Sequence, residues 1–146
     1  MATDINASPD RVMSPLNFVI KLKPGAKAGI EKASPVMEST LKKGADSIGT
    51  LHEARFIRYD DETILVFTTY DGKFEDYIFD FTKHMAEIFN FMLADAAGDP
   101  PLPIEKNAEA FADWVRERDM GSVAYYNAFP ELSVQDIAAM KAKLDQ

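Results

Sequence analysis

Glu53, Arg55, Thr68 and Tyr70 are the residues in this chain best placed to do chemistry together. They sit on two neighbouring runs rich in β-branched and aromatic residues. A guanidinium offers a fixed fork of donors that suits a carboxylate or similar anion. A phenol can donate to a carbonyl oxygen. Pairing the two runs around a four-residue loop, 59–62, sets Arg58 opposite Thr63. Phe56 then meets Leu65, Ala54 meets Phe67 and His52 meets Thr69 on one face. Ile57 meets Ile64, Arg55 meets Val66, Glu53 meets Thr68 and Leu51 meets Tyr70 on the other. In this register Glu53, Arg55, Thr68 and Tyr70 share a face, and a one-residue slip would exchange the faces. Two readings of the set stay open. One is a polar site for a small organic molecule carrying an anionic or carbonyl group. The other is a Glu53–Arg55 ion pair between two copies of the chain, because a buried charge needs a partner.

The histidines are His52 and His84. His52 stands near the start of its β-rich run and is a weak candidate for a general base, since an imidazole titrates near neutrality. No carboxylate or nucleophile stands at telling sequence spacing from it, and a core or rim histidine is the plainer reading. His84 falls beside the apolar stripe of a helix, where a lone histidine can serve as a haem ligand but more often flanks the surface. Asp71 reads as the cap of the helix immediately after it.

Composition removes whole classes of chemistry. There are no cysteines, so disulfides, thiolate zinc sites, iron–sulfur clusters and a cysteine nucleophile are excluded. No metal is expected, and no cofactor, with haem through His84 or His52 as the alternative. The net charge of −8 repels polyanions and anionic membrane surfaces, so neither nucleic acid nor membrane is an expected partner. The start of the chain lacks a basic stretch followed by an apolar one, and the cytoplasm is the expected address.

The elements that must carry these residues are set by periodicity. Residues 1–15 contain Pro9 and Pro15 among Ser and Asp and read as a flexible arm, leaving 16–146 as one domain. Residues 17–23 alternate as a strand. Residues 26–43 read as a helix broken or kinked at Pro35. Residues 51–59 and 63–70 make a hairpin around Asp60-Asp61-Glu62. A single long helix is expected over 73–94, with Phe74, Tyr77, Ile78, Phe81, Met85, Ile88, Phe89 and Met92 as its buried stripe. Pro100, Pro101 and Pro103 stiffen a loop before a helix at 105–118. That loop and the helix after it, which carries Trp114, read as a lid beside the site. Residues 123–129 (VAYYNAF) read as a fourth strand with Tyr125 and Tyr126 on opposite faces. Ser133 and Asp136 form a capping box for a last helix.

Without the extra helices this order is the split βαβ, ferredoxin-like βαββαβ arrangement. An α+β domain with a four-stranded antiparallel sheet is therefore expected. Helices would cover one face and leave Ile57, Val66 and Tyr70 on the other. His52-Glu53-Ala54-Arg55-Phe56, Phe67-Thr68-Thr69-Tyr70-Asp71-Gly72, Tyr77, Asp80-Phe81 and Trp114-Val115-Arg116 resemble a bacterial group within the dimeric α/β-barrel superfamily, over 50–129. The resemblance implies two ferredoxin-like sheets packed face to face in a homodimer. Its relatives include cofactor-free monooxygenases, isomerase- or dehydratase-like enzymes, haem-handling proteins and stress-responsive proteins. The expected function is binding of a small organic molecule between the two sheets, extending to cofactor-free catalysis. Glu53, Arg55, Thr68, Tyr70, Tyr125 and Trp114 are its candidate ligand-binding residues. The alternative is a non-catalytic scaffold whose barrel is filled by side chains.

Overall fold

The computed structural model describes residues 12–146, and the expected arm, apart from its last four residues, lies outside them. The first strand, β1 (Met13–Lys21), begins earlier than periodicity alone suggests and takes in Pro15. It is followed by α1 (Lys27–Ile48), β2 (Leu51–Asp60) and β3 (Thr63–Asp71). Then come α2 (Phe74–His84), α3 (Ala86–Leu93), a 3-10 turn at Ile104–Lys106, α4 (Ala108–Arg118) and α5 (Val134–Leu144). The chain is thus α+β, with a three-stranded antiparallel sheet in the order β1-β3-β2. No described helix is long and apolar enough to cross a membrane.

Helices α1 to α4 cover one face of the sheet. Leu16, Phe18 and Ile20 of β1 and Ile64, Val66, Thr68 and Tyr70 of β3 point into the core, as strand alternation requires. Phe89 is the centre of that core and is fully buried. Its ring lies 4.3 Å from Phe81, 5.7 Å from Phe56, and 6.4 Å from both Phe18 and Phe111. Each such ring taken out of water contributes roughly 1.5–3 kcal/mol.

The long helix expected over 73–94 is two helices. Met85 leaves the helical ψ range (φ −120°, ψ 10°) and separates α2 from α3. The apolar stripe nevertheless continues through the break, which is why sequence spacing does not reveal it. In contrast α1 is continuous through Pro35. It is seated on the α2–α3 break by Gly44. A Cβ at Gly44 would overlap Met85 Sδ and stand 2.8 Å from the His84 carbonyl oxygen.

The hairpin register differs from the sequence pairing by one residue along most of its length. Arg58 pairs with Ile64, Phe56 with Val66, Ala54 with Thr68 and Arg55 with Phe67. The turn is tighter than four residues, since Asp60 already pairs with Thr63 and its Oδ1 accepts from the Glu62 amide at 2.9 Å. Tyr59 is then an extra residue, a β-bulge. From Glu53 to Arg58 the faces of β2 are as the sequence pairing has them, but those of β3 are exchanged. Val66, Thr68 and Tyr70 go to the core. Leu65, Phe67 and Thr69 go to the open face, beside Ile57, Arg55 and Glu53.

The expected fourth strand at 123–129 does not form, so the sheet is not four-stranded among the described residues. Val123, Tyr126 and Phe129 are largely exposed. The free edge of β1 is covered in pieces instead. Ala97 donates its amide to the Lys21 carbonyl, Met120 donates to Asn17, and Val12 donates to Pro130. Pro15 lacks an amide on that same edge, as edge strands tolerate. These short contacts satisfy part of the edge without a continuous ladder.

Gly44 tests this packing by the sign of its effect. At an open helix position Gly→Ala stabilises by up to about 1 kcal/mol. Here Gly44→Ala is expected to destabilise by about 1–3 kcal/mol through overpacking, read as a lower midpoint in urea denaturation. A stabilised variant would show that α1 does not seat on the α2–α3 break.

Candidate functional site

A second bulge shapes the site. Leu51 pairs with Tyr70 and Glu53 pairs with Thr69, so His52 is the inserted residue. A bulged residue is released from strict alternation and can be re-aimed. His52 turns to the end of β3, where its Nε2 lies 2.6 Å from Asp71 Oδ1. Both side chains are nearly buried, 13% and 11% exposed. A carboxylate only accepts, so the hydrogen resides on Nε2 and Nδ1 is the basic nitrogen.

Asp71 is held on its other side too. Its Oδ2 accepts from the Val134 amide at 2.8 Å, and its own amide donates to the Thr50 carbonyl at 2.9 Å. Asp71 therefore does cap a helix, but the helix is α5 rather than α2. The negative charge suits the amides exposed at a helix N-terminus. The capping box expected at Ser133 is present: Asp136 donates its amide to Ser133 Oγ and accepts from the Ser133 amide, both at 3.0 Å. The amide side chain of Gln135 adds a hydrogen bond to the Gly49 carbonyl at 2.8 Å.

Beyond its first turn α5 is loosely packed and buries none of its residues. A cavity of about 480 Å³ lies between it and the body of the molecule. His52, Asn127 and Lys141 are its polar lining, and Met13, Phe129, Leu132 and Met140 are among its apolar walls. Asn127 Oδ1 is taken by the Phe129 amide at 2.9 Å, which leaves its amide hydrogens for an occupant.

The residues expected to form a site between two sheets are divided by the register. Glu53 and Arg55 stay on the open face, about three-fifths exposed, with Arg55 Nε 3.1 Å from Glu53 Oε1. The Arg55 guanidinium also lies 5.8 Å from the centre of the Phe67 ring. Thr68 and Tyr70 are on the opposite, covered face. Tyr70 stacks on Tyr77 with ring centres 4.2 Å apart and planes 3° from parallel. Burial pushes the Tyr77 phenol well above its ordinary range, and the neighbouring Thr68 hydroxyl only partly opposes it. Both tyrosines are core groups.

Trp114 is also buried and lines neither described cavity. Its Nε1 donates to the Gly98 carbonyl at 3.0 Å, and the Arg118 guanidinium lies 3.9 Å from the ring centre. It pins the 98–103 loop to α4 rather than forming the rim of a lid. Tyr125 is half-buried while Tyr126 projects into solvent. With no fourth strand, the expected alternation of Tyr125 and Tyr126 across a sheet does not arise. His84 is exposed at the end of α2 and lines neither cavity. Among the described residues no group of three or more His, Asp or Glu gathers as a metal site.

Comparison with protein-family models, curated proteins and solved structures finds no match for this chain. The arrangement around His52 must therefore be read from its own chemistry. Sequence spacing missed Asp71 as the partner of His52 because 19 residues separate them. Antiparallel pairing of Leu51 with Tyr70 sets Thr50, not His52, opposite Asp71, so only the bulge lets His52 reach that carboxylate.

Because Asp71 ties α5 to the sheet, Asp71→Ala is expected to destabilise by about 1.5–3 kcal/mol, the range for hydrogen bonds to a charged group. Hydrogen exchange should show the first-turn amides of α5 losing protection before those of β1 and β3. Unchanged exchange in α5 would refute the tie.

Proposed function

We propose that the protein binds a small, largely apolar organic molecule in the cavity beside α5 and moves a proton on it through His52, without a cofactor. The observation that carries this reading is the 2.6 Å His52–Asp71 contact at the wall of an apolar cavity. Asp71 holds the ring in one tautomer and stabilises the imidazolium formed when Nδ1 takes a proton. His52 is itself nearly buried beside apolar walls, which strengthens its electrostatic coupling to Asp71. The Asn127 amide can donate to a carbonyl on the same molecule. The proton taken by Nδ1 returns to the product or goes to the leaving group. Isomerisation or elimination next to a carbonyl is the matching reaction class.

The setting for this chemistry is a homodimer of ferredoxin-like units. β1, α1, β2, β3 and α2 keep the split βαβ order, and 123–129 runs near the β1 edge where a fourth strand would lie. The open face carries Val19, Leu65 and Ile57 in adjacent register, with Phe67 beside Arg55. These residues are only half-buried except for the exposed Arg55. A contiguous apolar stripe flanked by Glu53 and Arg55 suits packing against a second copy across a two-fold axis, where each charge meets its opposite.

Nitrobenzisoxazole, whose ring opens when a base removes its C–H proton, probes the base directly. The expected result is ring opening faster than in buffer, lost in His52→Ala and reduced at least tenfold in Asp71→Asn, the range for an acid–base group being about 10²–10⁴-fold. Equal rates for the protein and His52→Ala would refute proton transfer.

Light scattering should give about twice the 16.3 kDa chain mass. Phe67→Asp should return it to a monomer with its circular dichroism unchanged. A monomeric wild-type protein would overturn the paired-sheet setting while leaving the His52 reading in place.

A further inference from the structure

A second cavity, remote from His52, opens between α1 and the sheet. Ile30, Ser34, Met37 and Leu41 succeed one another at helical spacing, and the same face continues to Gly44 and Ile48. The two ends of that face behave differently. Gly44 and Ile48 are buried, whereas Ile30, Met37 and Leu41 are only half-buried. α1 is therefore seated at its C-terminal end and stands away from the sheet toward its N-terminus. The slot left beneath it has a volume of about 650 Å³, within the usual range of ligand cavities of about 300–1,000 Å³. Its sheet side is supplied by Leu22, Ala54, Phe56 and Ile64, and its far wall by Ile88 and Met92.

The described side chains at the mouth carry a biased charge. Arg58 Nη1 is already 2.6 Å from Glu31 Oε1. Glu38 and Asp60 complete the charged lining. Glu38 takes no hydrogen bond or ion pair among the described residues. The backbone hydrogen bond from Glu62, with help from the Thr63 side chain, holds the Asp60 carboxyl below its ordinary range, so it remains ionised at neutral pH. The chain as a whole, at net charge −8, attracts cations and repels anions.

We propose that this slot binds an amphipathic cation, its apolar chain or ring lying under α1 between Met37, Leu41 and Phe56 and its protonated amine at Glu38 and Asp60. The site is separate from the His52 cavity and does not rest on the proton-transfer reading. Each half of the ligand meets a matching surface. The apolar body covers the stripe that α1 leaves half-exposed, and the ammonium gives Glu38 a partner at the rim.

Isothermal calorimetry with decylamine, decanol and decanoate, each below its aggregation concentration, separates the two contributions. Decylamine is expected to bind about tenfold more tightly than decanoate, a difference of one unit-charge contact near the surface. Glu38→Gln should reduce that preference. Ser34→Trp, at an exposed position on the rim, should block the slot without disturbing the core, and Leu41→Trp should fill it. Met140→Trp, which fills the other cavity, should leave decylamine binding unchanged. Absence of decylamine binding overturns the site, as does binding that survives both Ser34→Trp and Leu41→Trp. Decanoate binding as tightly as decylamine overturns the ligand class. Loss of binding in Met140→Trp alone would place the ligand beside α5 and also overturn the proposal.

Discussion

In an antiparallel pair, neighbouring residues along a strand point to opposite faces, so each residue inserted into one strand exchanges the faces of the paired residues beyond it. The β2–β3 hairpin carries two such insertions, Tyr59 and His52. The first turns Val66, Thr68 and Tyr70 of the central strand into the core, where Tyr70 stacks on Tyr77. The second frees His52 from alternation and aims it at Asp71. Core composition, the character of the open face and the position of the only nearly buried histidine all depend on the parity these two residues set.

Asp71 extends that dependence to the C-terminal helix. One carboxylate oxygen faces His52 and the other accepts the Val134 amide. A helix that buries none of its residues has little area to hold it. Its position is set by polar contacts at its first turn, and those contacts start from the hairpin. The cavity beneath α5 results from the same imbalance: the helix is fixed at one end by hydrogen bonds and is not drawn down by a packed apolar face. α1 shows the reverse case. It is fixed at its C-terminal end by close packing at Gly44, and its opposite end diverges from the sheet.

Several features were legible in the residues because they are local. The capping box at Ser133 and Asp136 needs only the two side chains and one turn of helix. The hairpin around Asp60-Asp61-Glu62 needs only turn chemistry and two β-rich runs. The apolar stripe from Tyr77 to Met92 identifies a helical face whether or not the helix bends at Met85. The absence of cysteine closes the thiolate chemistries wherever the chain folds.

Tertiary structure decided the features that depend on relations between distant segments. Residues 123–129 have strand-forming side chains, yet strand formation also needs a partner edge with free backbone groups in register. Parts of the β1 edge are taken by Ala97 and Met120, and Pro15 offers no amide. Register is likewise a global property, since a bulge at Tyr59 costs little locally but changes every face beyond it. Polar side chains chosen by alternation were divided between two faces for that reason, and Thr68 and Tyr70 became core. The pairing of His52 with Asp71 required both the bulge and the return of β3. Sequence by itself therefore determined the capped start of α5, the existence of the hairpin, the apolar helix faces and the excluded chemistries. Which polar groups meet was decided only when the strands aligned, because alternation has a period of two and a single inserted residue reverses it.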